Sequence, residues 1–260
     1  MKTPKLSKRL ECAARMALSG NVIADVGCDH GLLPIKLVSE GRFSKAVLSD
    51  LREEPLKRAA SNIKRYASDN ADAFSLRLGS GLSTLAPGEA DVVAVTGLSG
   101  LTIAEILRGS PSVARKVSLF VLQPNTLHRE LRVFLLTNGY EITSETLESD
   151  GRKIYIVMQC RPGALKRGPA ALDGAAEGTA GISALRAEFG DFIPFQDTEI
   201  NRRFLASKYR EAVNIKKQIE NAPDASFHAG RIKYLEELTD GISRILASFK
   251  ETEDNTDDSQ

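Results

Sequence analysis

Short apolar runs alternate with amphipathic stretches over the first 160 residues of the chain. Each apolar run is too short for a buried helix and stops near an acid, a glycine or a proline. Such runs predict strands over residues 22–26, 45–50, 73–78, 91–96 and 117–123. Helical spacing of apolar residues predicts helices over residues 5–19, 33–40, 53–66, 101–107 and 127–137. Two further runs, 140–147 and 153–160, predict a hairpin, so we expect an α/β domain of five parallel βα units and a terminal β-hairpin.

The rest of the chain has a different pattern. Residues 161–198 begin with a stretch rich in Gly, Ala and Pro, which indicates a linker and loop. Apolar residues then recur at alternating steps of three and four, which predicts a helical hairpin, or coiled coil, over residues 199–250. A stripe of apolar residues like this one is more often buried in the core of a single chain than in a dimer interface, so we expect a monomer. The expected organisation is a domain over 1–160, this linker, the hairpin, and an acidic disordered tail over 251–260.

Composition narrows the class of protein. The 260 residues are 42% hydrophobic and 27% charged, as in soluble globular proteins, and no apolar run approaches the ~20 residues that span a bilayer. The first 20 residues are too polar for a signal peptide, so a cytoplasmic location is expected. The three cysteines and three histidines are widely spaced, which predicts neither a disulfide framework nor a metal site.

The net charge of +1 conceals an uneven distribution. Five acids and no base occupy residues 251–260, so residues 1–250 carry +6. Residues 198–250 hold ten bases against seven acids, spread along both predicted helices. A modest basic excess is compatible with a nucleic-acid partner, although most such charge is simply a solvated surface.

The most informative stretch is residues 23–34, IADVGCDHGLLP, in which a strand meets a glycine turn and then a helix. This arrangement brings backbone N–H groups and a helix N-terminus close to a bound cofactor. The dinucleotide pattern G-x-G-x-x-G and the P-loop Lys-Ser/Thr are both missing. Instead Asp25, Gly27 and Gly31 fit D-x-G-x-x-x-G, which favours a cationic, phosphate-free ligand such as S-adenosylmethionine. The alternative is that Asp25 only caps the turn.

A second acid strengthens the cofactor hypothesis. Asp50 ends the next predicted strand, 25 residues after Asp25. A βαβ unit places its ribose-binding carboxylate at about this spacing. Two strands that each deliver an acid to the carboxyl edge of a parallel sheet are harder to explain as chance than one.

Several segments together resemble the bacterial tRNA (adenine-N1)-methyltransferases that act on adenine 22 of the tRNA D-arm. The matching segments are LSKRL at 6–10, IADVGCDHGLLP at 23–34, LSD at 48–50, LRLGSGL at 76–82, VTGLSG at 95–100 and LQPN at 122–125. The resemblance covers residues 5–160, and the helical hairpin matches the family's C-terminal coiled coil. It implies the Rossmann-like sheet of class I methyltransferases, S-adenosyl-L-methionine as cofactor and tRNA as substrate.

The resemblance also implies site residues. We expect the cofactor to contact Asp25, Gly27, Cys28, His30, Gly31, Asp50, Leu51, Gly79, Ser80, Gly81, Leu82, Thr96 and Gly97. We expect the substrate to contact Arg9, Leu98, Ser99, Gly100, Gln123 and Asn125, with the target adenine resting on residues 97–100. No metal is expected. The family usually has Gly-Asp-Gly-Leu at 79–82, where this chain has Ser80, and Met-Gly where it has Leu98 and Ser99.

The resemblance also makes Asp29 the candidate catalytic residue, and the chemistry of the reaction supports this role. Methyl transfer to a ring nitrogen is an in-line displacement that yields a cationic product, so positioning and electrostatics dominate catalysis. A carboxylate beside the transfer site stabilises that charge and can take a proton from the exocyclic amine. The alternative is a turn aspartate that bonds its own backbone. His30 is expected to be a hydrogen-bonding wall residue, because no acid partner for it can be placed from the sequence.

Two other functions are compatible with the same residues. One is an S-adenosylmethionine-dependent enzyme that methylates a small molecule or a protein, with the helical hairpin as a lid. The other is a non-enzymatic binding module in which Ser80 and Ser99 mark a decayed active site. Cofactor titration separates the binding module from the two enzymes, and labelled-methyl transfer to tRNA separates the enzymes from each other.

Overall fold

The computed structural model describes residues 3–163, 182–221 and 228–257. The chain divides into two compact units, 1–168 and 169–260, which are called the first and second unit below. The predicted linker over 161–198 and the predicted tail over 251–260 lie partly outside the described residues.

The first unit is built around one sheet of seven strands in the order β3-β2-β1-β4-β5-β7-β6. Strands β1 to β5 are parallel, and β7 runs antiparallel to both β5 and β6. The predicted α/β fold with a terminal hairpin is therefore confirmed. The strands are β1 Val22–Val26, β2 Lys45–Asp50, β3 Phe74–Leu78, β4 Val92–Ser99, β5 Leu119–Thr126, β6 Tyr140–Asp150 and β7 Lys153–Pro162.

Helices connect these strands. They are α1 Lys8–Met16, α2 Leu32–Ser39, α3 Glu53–Tyr66, α4 Gly100–Gly109, α5 Pro111–Ala114 and α6 His128–Thr137. The predicted bounds of α3 match the structure. Helix α5 was not predicted, and the connection from β3 to β4 contains only the short 3-10 helix Gly81–Thr84. The third βα unit therefore has a short 3-10 turn in place of an α-helix.

Helix α1 packs on the terminal hairpin. Its first turn is capped by Ser7, whose Oγ accepts from the Leu10 N–H at 3.4 Å. The Arg15 guanidinium lies 2.7 Å from Glu148 of β6. The Gln159 amide of β7 donates to the Met16 carbonyl at 2.6 Å. The start and the end of the first unit are thus joined directly.

The second unit contains α7 Ala184–Phe189, α8 Glu199–Glu220 and α9 Ala229–Asp257. The predicted hairpin helices correspond to α8 and α9, and their apolar stripes are buried inside the unit at Phe204, Leu205, Ala212, Leu235, Leu238, Ile242 and Phe249. The Phe189 ring packs edge-on against Phe204 at 5.9 Å between centroids.

Two predictions about these regions were wrong. Residues 161–198 are not all linker, because Ser183 caps α7 and the buried Phe189 and Ile193 contribute to the core. The chain from 251 to 257 continues α9, so the predicted tail begins too early. Uniform acidity led to the prediction of disorder, but acids such as glutamate are compatible with helix.

The described residues contain neither a candidate membrane span nor a candidate metal site. Among the described residues, none of the helices combines the length and apolar composition that a membrane crossing requires. In the same part of the chain, no group of three or more His, Cys, Asp and Glu side chains is arranged to hold a metal ion.

Candidate active site

The loop between β1 and α2 is shaped by its glycines. Gly27 and Gly31 have φ angles of 77° and 64°, which favour glycine. The N–H groups of Gly27 and Cys28 both donate to the Ser49 carbonyl, at 2.8 and 3.1 Å, and tie the loop to β2. A Cβ on Gly31 would lie 2.4 Å from Leu48 Cδ2, so this glycine lets α2 approach the sheet.

A cavity of about 510 Å³ opens beside this loop, at the carboxyl ends of β1 and β2. Its size suits a cofactor or a small substrate. The lining contains eight of the predicted site residues, namely Gly27, Asp50, Leu51, Gly79, Ser80, Gly81, Leu82 and Leu98. Leu98 was assigned to the substrate, but it lies in this cavity, and its Cδ1 is 3.6 Å from the position of a Cβ on Gly27.

Other lining residues were missed by the sequence analysis. Thr102, Glu105 and Ile106 lie on one face of α4 at spacings of three and four, so the helix that follows β4 forms a wall of the cavity. That spacing was visible in the sequence. The remaining missed lining residues are Val26, Ser49, Arg52, Ser83, Gly109 and Ser110.

Asp50 is held in place at the end of β2. Its Oδ1 accepts from the Arg52 N–H at 3.0 Å, and its carbonyl accepts from the Gly79 N–H at 2.9 Å. Only 9% of the residue surface is exposed, although it lines the cavity. Asp50 is therefore a fixed acceptor that faces the cavity.

Asp25 is buried, with 4% of its surface exposed, and is not part of the cavity lining. Burial raises the pKa of its carboxyl to about 7, against the opposing effect of Arg9 and with smaller contributions from Asp50 and Asp29. A free Asp25 carboxylate is thus costly near neutral pH, and a cation placed nearby would stabilise it.

Arg9, Gln123, Asn125 and Gly97 form one hydrogen-bonded group at the ends of β4 and β5. The Arg9 Nη1 and the Gly97 N–H both donate to Gln123 Oε1, the latter at 3.1 Å. The Asn125 Nδ2 donates to the Gly97 carbonyl at 2.8 Å, and its Oδ1 accepts from Gln123 Nε2 at 3.1 Å. The Arg9 guanidinium also lies 5.9 Å from the centroid of the Tyr155 ring. The structure therefore joins four predicted residues that are distant in the sequence.

Asp29 lies on the glycine loop with a φ of 40°, in the left-handed region. Its Oδ1 accepts from the Arg58 Nη2 at 2.7 Å, and its Oδ2 lies 3.4 Å from His30 Nε2. The acid partner of His30, which could not be placed from the sequence, is thus the adjacent residue Asp29. Asn62 of α3 donates to the His30 carbonyl at 2.9 Å, so α3 holds this side of the loop at two points.

Gly100 has a packing role. A Cβ at this position would lie 2.0 Å from the Leu127 carbonyl oxygen and 3.1 Å from Leu131 Cβ. Leu127 itself adopts a φ of 58°, which is strained for a bulky residue. The segments that follow β4 and β5 therefore touch through backbone at Gly100, and its contact with substrate stays a prediction.

Not every predicted cofactor residue reaches the cavity. Besides Asp25, the residues outside its lining are Cys28, His30, Gly31, Thr96 and Gly97. Cys28 is buried, and burial raises the pKa of its thiol above the ordinary value. Gly97 and Thr96 lie where β4 bulges against β5, next to Gln123.

Comparison with known proteins decides the family. A family model described as a methyltransferase domain matches residues 6–158. The chain belongs to the methyltransferase-domain family. The tRNA (adenine(22)-N(1))-methyltransferase of Bacillus subtilis is 26% identical over 246 residues, which are 93% of this chain and 97% of the relative.

Solved structures agree with this methyltransferase fold. The crystal structure of the Bacillus subtilis tRNA methyltransferase TrmK has a TM-score of 0.78 at 26% identity and covers 93% of this chain and 99% of that chain. A Streptococcus pneumoniae protein crystallised in complex with S-adenosyl-L-methionine has a TM-score of 0.73 at 23% identity, covering 93% and 100% of the two chains.

The departures from the family pattern have structural roles in this methyltransferase domain. The Ser99 Oγ accepts from the Thr102 N–H at 3.1 Å and caps α4. The Ser80 carbonyl accepts from the Ser83 hydroxyl at 2.6 Å and fixes the turn at the cavity wall. The Ser99 side chain thus stabilises an element of the site, whereas the Ser80 contact uses its backbone and would be made by any residue at that position.

Proposed function

We propose that this chain is an S-adenosyl-L-methionine-dependent methyltransferase that methylates N1 of adenine 22 in the D-arm of tRNA. The observation that carries the proposal is the cavity at the ends of β1 and β2, with Asp50 fixed in its wall. It lies in a chain that aligns over 93% of its length with a relative named for that reaction. Because tRNA is the proposed substrate, we also propose a cytoplasmic location.

The residues present fit the cofactor. Asp50 would accept hydrogen bonds from the two ribose hydroxyls, and the exposed Leu51 would supply apolar surface for the adenine ring. The buried Asp25 favours a ligand that carries positive charge, as the sulfonium and ammonium of S-adenosylmethionine do. When bound, the cofactor supplies an electrophilic methyl group.

The rest of the chemistry is positioning. We propose that the target adenine rests on the loops after β4 and β5, where Asn125 bridges to the Gly97 carbonyl. Asp29, on the glycine loop, would stabilise the positive charge that develops on the base and take a proton from its exocyclic amine. Arg58 would orient the Asp29 carboxylate through their 2.7 Å contact.

Transfer of a labelled methyl group to unmodified tRNA tests the proposal. The expected product is N1-methyladenosine at position 22, identified by nuclease digestion and mass spectrometry. A matched tRNA with guanine at that position should remain unlabelled. Cofactor binding without labelling of either tRNA would contradict the proposed substrate and favour a small-molecule or protein acceptor.

Replacing Asp50 should weaken cofactor binding. In Asp50→Ala the ribose hydroxyls lose their acceptor, which costs roughly 1–3 kcal/mol, or about one to two decades of affinity. Titration calorimetry measures the change. Asp69→Ala, an exposed acid on the first unit outside the cavity lining, is the control and should bind as wild type. Wild-type affinity in Asp50→Ala would exclude the binding mode described above.

Cofactor affinity should depend on pH through Asp25. Its carboxyl is raised to a pKa of about 7 in the folded protein, so it is largely protonated below that pH. A cationic ligand favours the carboxylate, so binding should release a proton and affinity should rise with pH up to about 7 and then level off. The cofactor affinity should change by at most about tenfold per pH unit, because one proton is released.

Calorimetry in buffers of different ionisation enthalpy counts the released proton directly. Asp25→Asn should flatten the profile, which separates Asp25 from His30 on the same loop. A profile with the same slope in wild type and variant would show that Asp25 is not the titrating group.

A further inference from the structure

One face of α8 carries a regular row of exposed polar side chains. Arg203, Ser207, Arg210, Asn214 and Lys217 are all exposed and follow one another at steps of four, three, four and three residues. This spacing places them on a single side of the helix. The row runs for about 21 Å, since a helix rises 1.5 Å per residue. We call these five residues the α8 ridge.

The three cations of the ridge differ from the other cations of α8. Arg202 pairs with Asp197 at 2.6 Å, Lys208 with Glu211 at 2.9 Å, and Lys216 with Glu236 at 2.7 Å. Within the described residues, none of the ridge cations lies within ion-pair distance of a carboxylate.

The acid nearest in spacing is Glu199, one turn before Arg203 in the first turn of α8. The positive end of the helix dipole favours an acid there. From Arg203 to Lys217 the ridge therefore presents positive charge that the described residues leave unneutralised, interleaved with a hydroxyl and an amide.

Helix α9 presents a different surface. Its exposed residues Lys233, Glu237, Asp240 and Arg244 also follow steps of four, three and four, but two are basic and two are acidic. Opposite charges at this spacing neutralise each other, so this face offers no net attraction for an anion. The basic excess of the hairpin that is visible in the sequence is thus concentrated, in the structure, on α8.

We propose that the α8 ridge docks the sugar–phosphate backbone of the RNA substrate. The proposal rests on the proposed function, because it names the surface that holds the same tRNA. A straight row of cations with interleaved hydrogen-bonding groups matches a continuous line of phosphates and hydroxyls. It lacks exposed aromatic or apolar groups that would suit stacked bases or a protein surface. The ridge therefore contributes affinity and orientation and does not read base sequence.

Charge reversal in the full-length protein tests the ridge. Arg203→Glu/Arg210→Glu changes the net charge by the same amount as Lys233→Glu/Arg244→Glu on α9, which is the matched control. We expect the ridge variant to bind unmodified tRNA about tenfold or more weakly and the control to stay within about twofold. Fluorescence anisotropy measures both dissociation constants, and circular dichroism with thermal unfolding verifies that both variants fold.

The salt dependence of tRNA binding is a second measurement, and it can be made on a variant with milder substitutions. Arg203→Gln/Arg210→Gln removes two phosphate contacts, so the slope of log affinity against log salt should fall by about two. This variant keeps the ridge testable if charge reversal prevents folding. An unchanged slope and affinity, or an equal loss in the α9 control, would overturn the ridge as the docking surface.

The same preparations separate the two proposals. Wild-type protein that methylates tRNA, together with a ridge variant that binds it normally, would overturn only the ridge. Wild-type protein that binds the cofactor but neither binds nor methylates tRNA would overturn the proposed function and the ridge together. Loss of tRNA binding in the ridge variant, with cofactor affinity unchanged, supports both.

Discussion

Replacing Asp29 by asparagine should lower the turnover of methyl transfer by about 100-fold or more while cofactor affinity stays near wild type. A group that acts on charge and protons in the transition state contributes about this much, and its loss reduces turnover and not binding. Single-turnover transfer of a labelled methyl group to tRNA measures the rate, and calorimetry measures the affinity.

Asparagine is chosen because of the backbone. Asp29 has a φ of 40°, a conformation that Asn tolerates and Ala does not. Asp29→Asn therefore removes the charge and keeps the turn, whereas Asp29→Ala changes both. If Asp29 is only a turn residue, the asparagine variant should retain its turnover, and that result would remove the catalytic role.

Arg58→Gln is the companion variant. It releases the Asp29 carboxylate from its 2.7 Å partner on α3 without altering the loop sequence. If Arg58 orients the carboxylate, its loss should reduce turnover less than the loss of Asp29 itself, and the double variant should be no slower than Asp29→Asn. Additive losses would show that Arg58 acts independently of Asp29.

Replacing Gly100 by alanine, which adds a single methyl group, should destabilise the first unit by about 3 kcal/mol or more. The new Cβ would lie 2.0 Å from the Leu127 carbonyl oxygen, which is backbone and cannot rotate away. Relief requires either α4 or the start of α6 to move, and both are tied to the sheet. Urea unfolding measures the free energy, and we expect the midpoint of thermal unfolding to fall by roughly 6–12 °C.

Gly109→Ala is the control on the same helix. Nothing lies within 4 Å of a Cβ at that position, so the stability should change by less than about 0.5 kcal/mol. A Gly100→Ala variant as stable as this control would mean that the two loops do not touch as described.

The sheet was predictable because each strand is bounded by residues that strands avoid. The ends of β4 to β7 were the exceptions, since each of these strands continues two or three residues beyond its predicted end. Leu98 pairs with Pro124 and Ser99 with Thr126, across a bulge. The glycine and proline that signal a strand end in isolation are here accommodated because the two strands distort together.

The candidate site was predictable as a set of loops but not as a set of contacts. Asp50 and the turn at 79–82 lie where the motifs indicated. The partners of Asp29 and of the α8 cations could not be inferred, because an ion pair depends on side-chain direction and on residues distant in the sequence. Asp29 and Arg58 are 29 residues apart, and Lys216 and Glu236 are 20 apart. The composition of the chain does not distinguish the bases that form ion pairs from those that do not.

The contact of α1 with the terminal hairpin has a consequence for the order of folding. The bonds from Arg15 to Glu148 and from Gln159 to Met16 join residues 133 and 143 apart in the sequence. A chain emerging from the ribosome makes α1 first, but the docking of α1 on β6 and β7 must wait until the hairpin is complete, and such non-local closure is slow. Arg9 sits on this helix beside Tyr155 of β7. Nascent chains that stop before the hairpin already contain Gln123, the hydrogen-bond partner of Arg9, but they lack the Tyr155 ring that packs beside its guanidinium.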